Sequence, residues 1–251
     1  MPRAELNPGE IQYNATVLSG LINLDKPPGL SSAAAVNIVK RLLPRGTRIG
    51  HAGTLDPFAT GVLVLLVGNA TRLCEQVMAQ PKQYLATVKL DATTETLDPT
   101  SPEMPVPMTA PASRGAIDAL LPRFIGLIDQ RPPAYSALKL AGQPAYKLAR
   151  KGKQPELAPR KVHVYGIEVI RYAWPLLELR VDCGRGTYIR SLARDIGQAL
   201  GAGGYLTSLR RTRVGEFRID AAVSLDQIRA GGVEAFLKRG LIRTDDTLRF
   251  A

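Results

Sequence analysis

The run Gly50-His51-Ala52-Gly53-Thr54-Leu55-Asp56-Pro57-Phe58-Ala59-Thr60-Gly61 sets one carboxylate in a turn-rich stretch bounded by glycines. Glycines let a backbone turn sharply and approach a ligand closely. A carboxylate presented from such a loop can serve as nucleophile or general base. A purely structural reading stands beside this one, because Asp56 before Pro57 also makes a good helix start. Thr-Leu-Asp-Pro recurs at Thr96 to Pro99, without flanking glycines, so the tetrapeptide alone carries little weight. Arg190, in Tyr188-Ile189-Arg190, could pair with a carboxylate or simply be solvated on a helix. Other chemistries lack their residues. Cys74, Cys183, His51 and His163 do not have zinc-site spacing. Gly184-Arg185-Gly186 lacks the third glycine of a dinucleotide fingerprint, and no phosphate-binding loop sequence occurs.

The elements that would carry these residues can be read from the pattern. Gly20 to Leu24 reads as a strand stopped by Lys26-Pro27-Pro28-Gly29, after which Ser31 or Ser32 caps a helix through Val36, Val39 and Leu43. Val62 to Val67 reads as a buried strand, followed by a helix from about 70 to 79. Tyr84, Ala86, Val88 and Leu90 alternate along another strand, which makes core packing the plain role of Tyr84. Residues 91–112 hold five prolines, four acidic residues and no Lys or Arg, and read as a surface loop. A helix near 113–122, strands at 161–171 and 176–183, a helix over 187–200 and short strands near 205–210 and 216–220 complete the reading. Strands and helices mix without a regular alternation, which favours an α+β fold with a mixed, largely antiparallel sheet.

The chain has 251 residues, with 33 Lys and Arg against 22 Asp and Glu, a formal net charge of +11. With 45% hydrophobic residues it has the material for a sizeable core. The longest apolar run is too short to span a bilayer, no signal-peptide pattern opens the chain, and two cysteines make no disulfide framework. A cytoplasmic setting is expected. The positive charge points to a polyanion, nucleic acid being the commonest. Residues 123–161 carry nine Lys and Arg against Asp129 and Glu156, a net +7, with Tyr135 and Tyr146 interleaved.

Taken together, the motifs resemble one family. The Gly50–Gly61 run resembles the catalytic signature of the TruB family of tRNA pseudouridine synthases. Leu24-Asp25-Lys26-Pro27-Pro28-Gly29 with Ser31-Ser32 matches its N-terminal motif, and Gln130-Arg131-Pro132-Pro133-Ala134-Tyr135-Ser136-Ala137-Leu138-Lys139 its central one. Gly186-Thr187-Tyr188-Ile189-Arg190-Ser191-Leu192 and Leu209-Arg210-Arg211-Thr212 match the C-terminal pair, all in the family's order.

The resemblance implies the pseudouridine synthase fold and isomerisation of a uridine already in RNA, without metal or organic cofactor. Asp56 would be the essential carboxylate, whether it attacks C1′ or first removes a sugar proton. Arg190 would hold it ionised and oriented. Tyr84 would stack on the target base, with Tyr188 a second active-site tyrosine, Lys26 close to the site and Leu209 lining the uracil pocket. His51 would help hold the RNA loop after the base flips out. Lys139, Lys147, Arg150, Lys151, Lys153, Arg210 and Arg211 would contact RNA, the 123–161 stretch being the RNA-clamping insertion. The motif versions resemble the stand-alone branch, so the expected partner is the tRNA T-arm with uridine 55 as target, acting as a monomer without an obligatory protein partner. The expected organisation is an arm over 1–19 and one catalytic domain over 20–251, with no C-terminal PUA domain. Glu95 departs from the family's usual Asp. The alternative function is a non-catalytic tRNA-binding or folding chaperone.

Overall fold

The structure, a computed structural model, describes residues 18–108, 110–136, 138–140, 142–149, 153, 157–230 and 241–242. Almost all of the expected N-terminal arm therefore lies outside the described residues. In chain order the first half runs β1 (Gly20–Lys26), α1 (Ser32–Lys40), β2 (Ile49–Ala52), β3 (Thr60–Val67), α2 (Cys74–Ala79), β4 (Lys82–Lys89), β5 (Ala92–Thr94), β6 (Glu103–Pro105) and α3 (Arg114–Leu120). It continues with β7 (Gly126–Gln130), β8 (Lys139–Leu140), β9 (Gln143–Pro144), α4 (Ala145–Ala149), β10 (Arg160–Ala173), β11 (Leu176–Cys183) and α5 (Ile189–Ala199). β12 (Tyr205–Val214), β13 (Phe217–Arg218), β14 (Val223–Ser224) and β15 (Leu241–Ile242) follow.

An eleven-stranded sheet organises these elements, with a main path β14-β1-β3-β12-β4-β11-β10-β7. Its pairings are antiparallel except β1 with β14 and β3 with β12. This is the mixed, largely antiparallel sheet expected. Alternation places each strand's apolar side chains on one face. Val64 and Leu66 of β3 face one way with Val77 of α2. Leu63 and Leu65 face the other way, into a larger core with Val36 and Val39 of α1, Leu179 and Val181 of β11, and Leu192 and Ile196 of α5. No helix among the described residues is long and apolar enough to cross a membrane.

Several local expectations change. Asp56-Pro57 starts no helix; residues 53–59 form a loop between β2 and β3, turned by a hydrogen bond from Ala59 N–H to the Asp56 carbonyl at 3.1 Å. The 91–112 stretch is not merely a surface loop, since β5 and β6 pair within it and Asp98 between them is buried. The basic segment is also shorter than 123–161. Leu127, Ile128 and Asp129 are strand residues, because β7 pairs with β10 at the edge of the sheet.

Candidate active site

Asp56 is held by its neighbours' backbone. Ser31 caps α1 by accepting from Ala34 N–H at 3.1 Å. Ser32 is buried, and its hydroxyl accepts from Leu55 N–H at 2.9 Å and donates to the Leu55 carbonyl at 3.0 Å. On the other flank the Pro57 carbonyl accepts from Gly29 N–H at 2.8 Å and from Lys26 Nζ at 3.2 Å. Lys26 is fully buried and also donates to the carbonyls of Pro27 and Leu30, at 2.8 and 2.7 Å. The segment from Lys26 to Ser32 thus brackets the residues before and after Asp56. Burial lowers the Lys26 pKa to about 8, opposed by the Asp56 carboxylate.

Arg190 joins this loop to two others. It sits in the first turn of α5 and its side chain is 4% exposed. Nη2 donates to Asp56 Oδ1 at 2.9 Å and to the Tyr135 carbonyl at 2.9 Å. Nη1 donates to the Thr96 carbonyl at 2.9 Å and to Asp98 Oδ2 at 3.3 Å. A cation at a helix N-terminus opposes the helix dipole, and the two carboxylates offset that. Asp98 is itself locked. Its Oδ1 accepts from Thr96 Oγ1 at 2.6 Å and from Thr100 N–H at 3.0 Å. Leu97 beside it adopts φ 60°, the left-handed region that non-glycine residues avoid at a cost of about 1–2 kcal/mol. The Asp56 side chain is 30% exposed, and among the described residues only its Oδ1 is bonded. Burial pushes the Asp56 carboxyl up from its ordinary range; Arg190 pulls it back down and Asp98 pushes it up again.

The C-terminal motif divides between two faces. Leu209 and Arg210 line an open cleft of about 670 Å³ together with Pro28, Gly29, Pro57, Phe58, Thr60, Pro99 and Thr100. That volume suits a nucleotide-sized ligand. Arg210 is half exposed and pairs with Asp25 Oδ2 at 2.8 Å. Arg211 points inward, so its expected place in the RNA interface is corrected here. At 1% exposure it cannot reach a phosphate; Nε donates to the Val62 carbonyl at 2.7 Å and Nη2 to the Gly53 carbonyl at 2.9 Å. Strand alternation sets Arg211 opposite to its neighbour Arg210, because adjacent residues of β12 face opposite ways. The parallel contact of β12 with β3 is so close that a Cβ on Gly61 would lie 2.1 Å from the Arg211 carbonyl oxygen.

Tyr84 lies opposite Arg211 and Val181 in the sheet and is buried; burial raises its phenol pKa, with Arg211 opposing. Tyr188 caps α5, its backbone N–H and carbonyl both tied to the Gln130 side-chain amide, at 2.8 and 3.1 Å. His51 is half-buried on β2, with Nδ1 unpartnered among the described residues, and burial and the Arg211 charge lower its pKa. It is not bonded to Asp56 or Arg190. Lys147 and Lys153 are exposed. Arg150, Lys151 and the Lys139 side chain lie outside the described residues.

Sequence reasoning missed Asp98 and Ser32. The signal for Asp98 was the repeated Thr-Leu-Asp-Pro, which the absence of glycines made easy to discount. Ser32 offered only a choice between two adjacent caps.

A buried Arg190 shared by Asp56 and Asp98, next in sequence to residues that line an open cleft and set on a mixed sheet, defines a carboxylate-centred enzyme site in outline. Comparison with known proteins is specific. Residues 40–189 match the N-terminal domain of TruB family pseudouridylate synthases, and residues 190–243 match the C-terminal domain of tRNA pseudouridylate synthase B. The chain is similar to tRNA pseudouridine synthase B of Cupriavidus pinatubonensis, 47% identical over 86% of this chain and 69% of that protein. It is similar to the same enzyme of Aromatoleum aromaticum, 42% identical over 95% and 76%. Among solved structures it resembles a chain of a Cbf5-Nop10-Gar1 complex (TM-score 0.65, 32% identity, 89% of this chain and 60% of that one). It also resembles a chain of an H/ACA RNP bound to a substrate RNA containing 2′-deoxyuridine (TM-score 0.65, 29% identity, 94% and 65%). The chain belongs to the TruB family of pseudouridylate synthases. The two matched regions meet within α5 and share one sheet, where β12 of the second lies between β3 and β4 of the first.

Proposed function

We propose that this protein converts uridine to pseudouridine in tRNA, at uridine 55 of the T-loop, with Asp56 as the catalytic carboxylate. The observation that carries this reading is the Asp56–Arg190 pair at 2.9 Å beside a nucleotide-sized cleft, in a chain of this family. The target base must leave its stack to reach such a carboxylate, at a cost of roughly a few kcal/mol. Basic contacts and aromatic stacking offset that cost. The glycosidic C1′–N1 bond then breaks, the base rotates, and C5 joins C1′. C5 loses its proton and N1 gains one, so no oxidant, reductant or external group is consumed.

In this reading Arg190 keeps Asp56 ionised at the sugar despite its burial. Tyr84 and Leu209 bound the uracil, and Tyr188 sets the start of α5. Lys26 supports the loop through the Pro57 carbonyl rather than by touching the substrate. His51, Lys139, Lys147, Arg150, Lys151, Lys153 and Arg210 serve the RNA. Pseudouridine formation on an unmodified tRNA transcript, mapped by carbodiimide primer extension, tests the reading. A stop at position 55 with wild type, lost in Asp56→Asn while tRNA binding persists, is the expected result. A folded wild-type protein that binds tRNA and leaves it unmodified refutes it.

A further inference from the structure

Among the described residues, the loop that leads into the basic segment touches the catalytic pair through Tyr135. Its carbonyl accepts from Arg190 Nη2 at 2.9 Å, and its hydroxyl donates to Glu95 Oε1 at 2.7 Å. Glu95 stands directly before Thr96, whose carbonyl accepts from Arg190 Nη1 at 2.9 Å. The contacts therefore close a ring: guanidinium, Tyr135, Glu95, Thr96 and back to the guanidinium. The two carbonyls are neutral, so they do not compete with Asp56 and Asp98 for the charge of Arg190. What they fix is the plane of the guanidinium, and hence the direction from which Nη2 meets Asp56 Oδ1. The Thr96 side of the ring is held by the β5–β6 pairing and by the contacts of the Thr96 hydroxyl with Asp98 Oδ1 and Ser101 Oγ. Among the described residues the Tyr135 side has no strand pairing, since β7 ends at Gln130. On that side the Glu95–Tyr135 hydrogen bond ties the loop to the turn.

We infer that Glu95 and Tyr135 are positioning residues for pseudouridine formation, their hydrogen bond seating the loop before the basic segment on the β5–β6 turn and so orienting Arg190 against Asp56. The inference rests on the function proposed above. It makes the part of the chain that grips RNA and the pair that performs the chemistry share one joint. A different role for Tyr135, as an aromatic contact to RNA alone, would need its ring and not its hydroxyl.

Four variants separate these roles: Tyr135→Phe, which keeps the ring; Glu95→Ala; the two combined; and Glu95→Gln, which keeps an acceptor oxygen. Each is measured by single-turnover pseudouridine formation at saturating tRNA transcript, by tRNA Kd, and by thermal melting. Tyr135→Phe and Glu95→Ala are each expected to slow the reaction about 3- to 10-fold, the rate equivalent of one net hydrogen bond. Their Kd should stay within about twofold, a change worth well under one hydrogen bond. The double variant should be no slower than the slower single one, because both delete the same bond. Glu95→Gln should retain wild-type speed. Unchanged rates, rate losses that multiply in the double variant, or losses confined to Kd would each overturn the inference. A wild-type control that forms no pseudouridine would instead sink the functional reading on which it stands.

Discussion

Arg190→Met keeps a buried side chain of similar reach and deletes the guanidinium, which isolates the electrostatic part of the site. Asp56 and Asp98 lose their shared cation together, and the Thr96 and Tyr135 carbonyls lose a donor. Breaking one buried pair costs about 3–5 kcal/mol. The costs here do not simply add, because Asp56 is partly hydrated and can take up a proton. A loss of about 3–5 kcal/mol at neutral pH is therefore expected, lowering the melting temperature by about 10 °C for a chain of this size. The pH dependence gives the sharper test. An unpaired buried carboxylate has a folded-state pKa above its unfolded value, so the folded variant binds more protons than the unfolded chain between the two. Its stability falls as pH rises through that window and recovers on acidification. The deficit against wild type should thus be largest near neutral and alkaline pH and shrink towards acid. In the proposed mechanism Asp56 acts ionised, so the acid limb of the single-turnover rate profile should move to higher pH. Arg190→Lys keeps the charge but not the planar fork, and should lose rate with little movement of that limb. Melting deficits for Arg190→Met that do not vary with pH, or an acid limb that stays in place, would refute the assignment of Arg190 as the cation that keeps Asp56 charged.

Asp98 acts in the opposite sense, since its charge raises the Asp56 carboxyl; Asp98→Asn should move the acid limb to lower pH and lower the plateau rate. Arg211→Met should cost about 2–4 kcal/mol by stripping the Val62 and Gly53 carbonyls of their donor. It should leave the salt dependence of tRNA binding unchanged, whereas Arg210→Ala should flatten it; denaturant titrations and binding at several salt concentrations check both. Replacing Lys147, Arg150 and Lys151 together with Ala should reduce the slope of log K against log salt by roughly two to three. An unchanged slope would show that the cluster is merely solvated.

What the sequence made legible follows from the range of the physics involved. Alternation over Tyr84, Ala86 and Val88 is local, and β4 follows it. The apolar run Val62 to Val67 becomes β3, buried along almost its whole length. Arg211 was misread because charge composition is blind to facing. Only the pairing of β12 with β3 and β4 shows that Arg210 looks outward and Arg211 inward. Asp98 was discounted because its partner is distant in sequence and nothing local distinguishes a buried Asp from one that caps a turn. Proline density in 91–112 was a sound sign of irregular backbone, yet irregular backbone is where a side-chain carboxylate can be walled in by hydroxyls. The Thr96 and Thr100 hydroxyl contacts to Asp98 do this.

The site's construction also explains why so much buried polar structure surrounds a single carboxylate. The loop from Gly53 to Ala59 has no regular secondary structure of its own to hold it. It is fixed instead at its start by Arg211 on Gly53, beside Asp56 by Ser32 on Leu55, and after it by Gly29 and Lys26 on Pro57. Two of these supports are cations with no carboxylate partner of their own among the described residues, and their solvation comes from backbone carbonyls. Carbonyls give direction without neutralising charge. The result is a rigid loop in a positive surrounding, where an aspartate can remain ionised although burial opposes it. A carboxylate support such as a second Asp beside Lys26 would hold the loop as firmly but would cancel that field. Rigid support and a favourable field for Asp56 are thus met by the same bonds, and its carboxylate stays partly exposed next to Pro57 and Phe58 of the cleft.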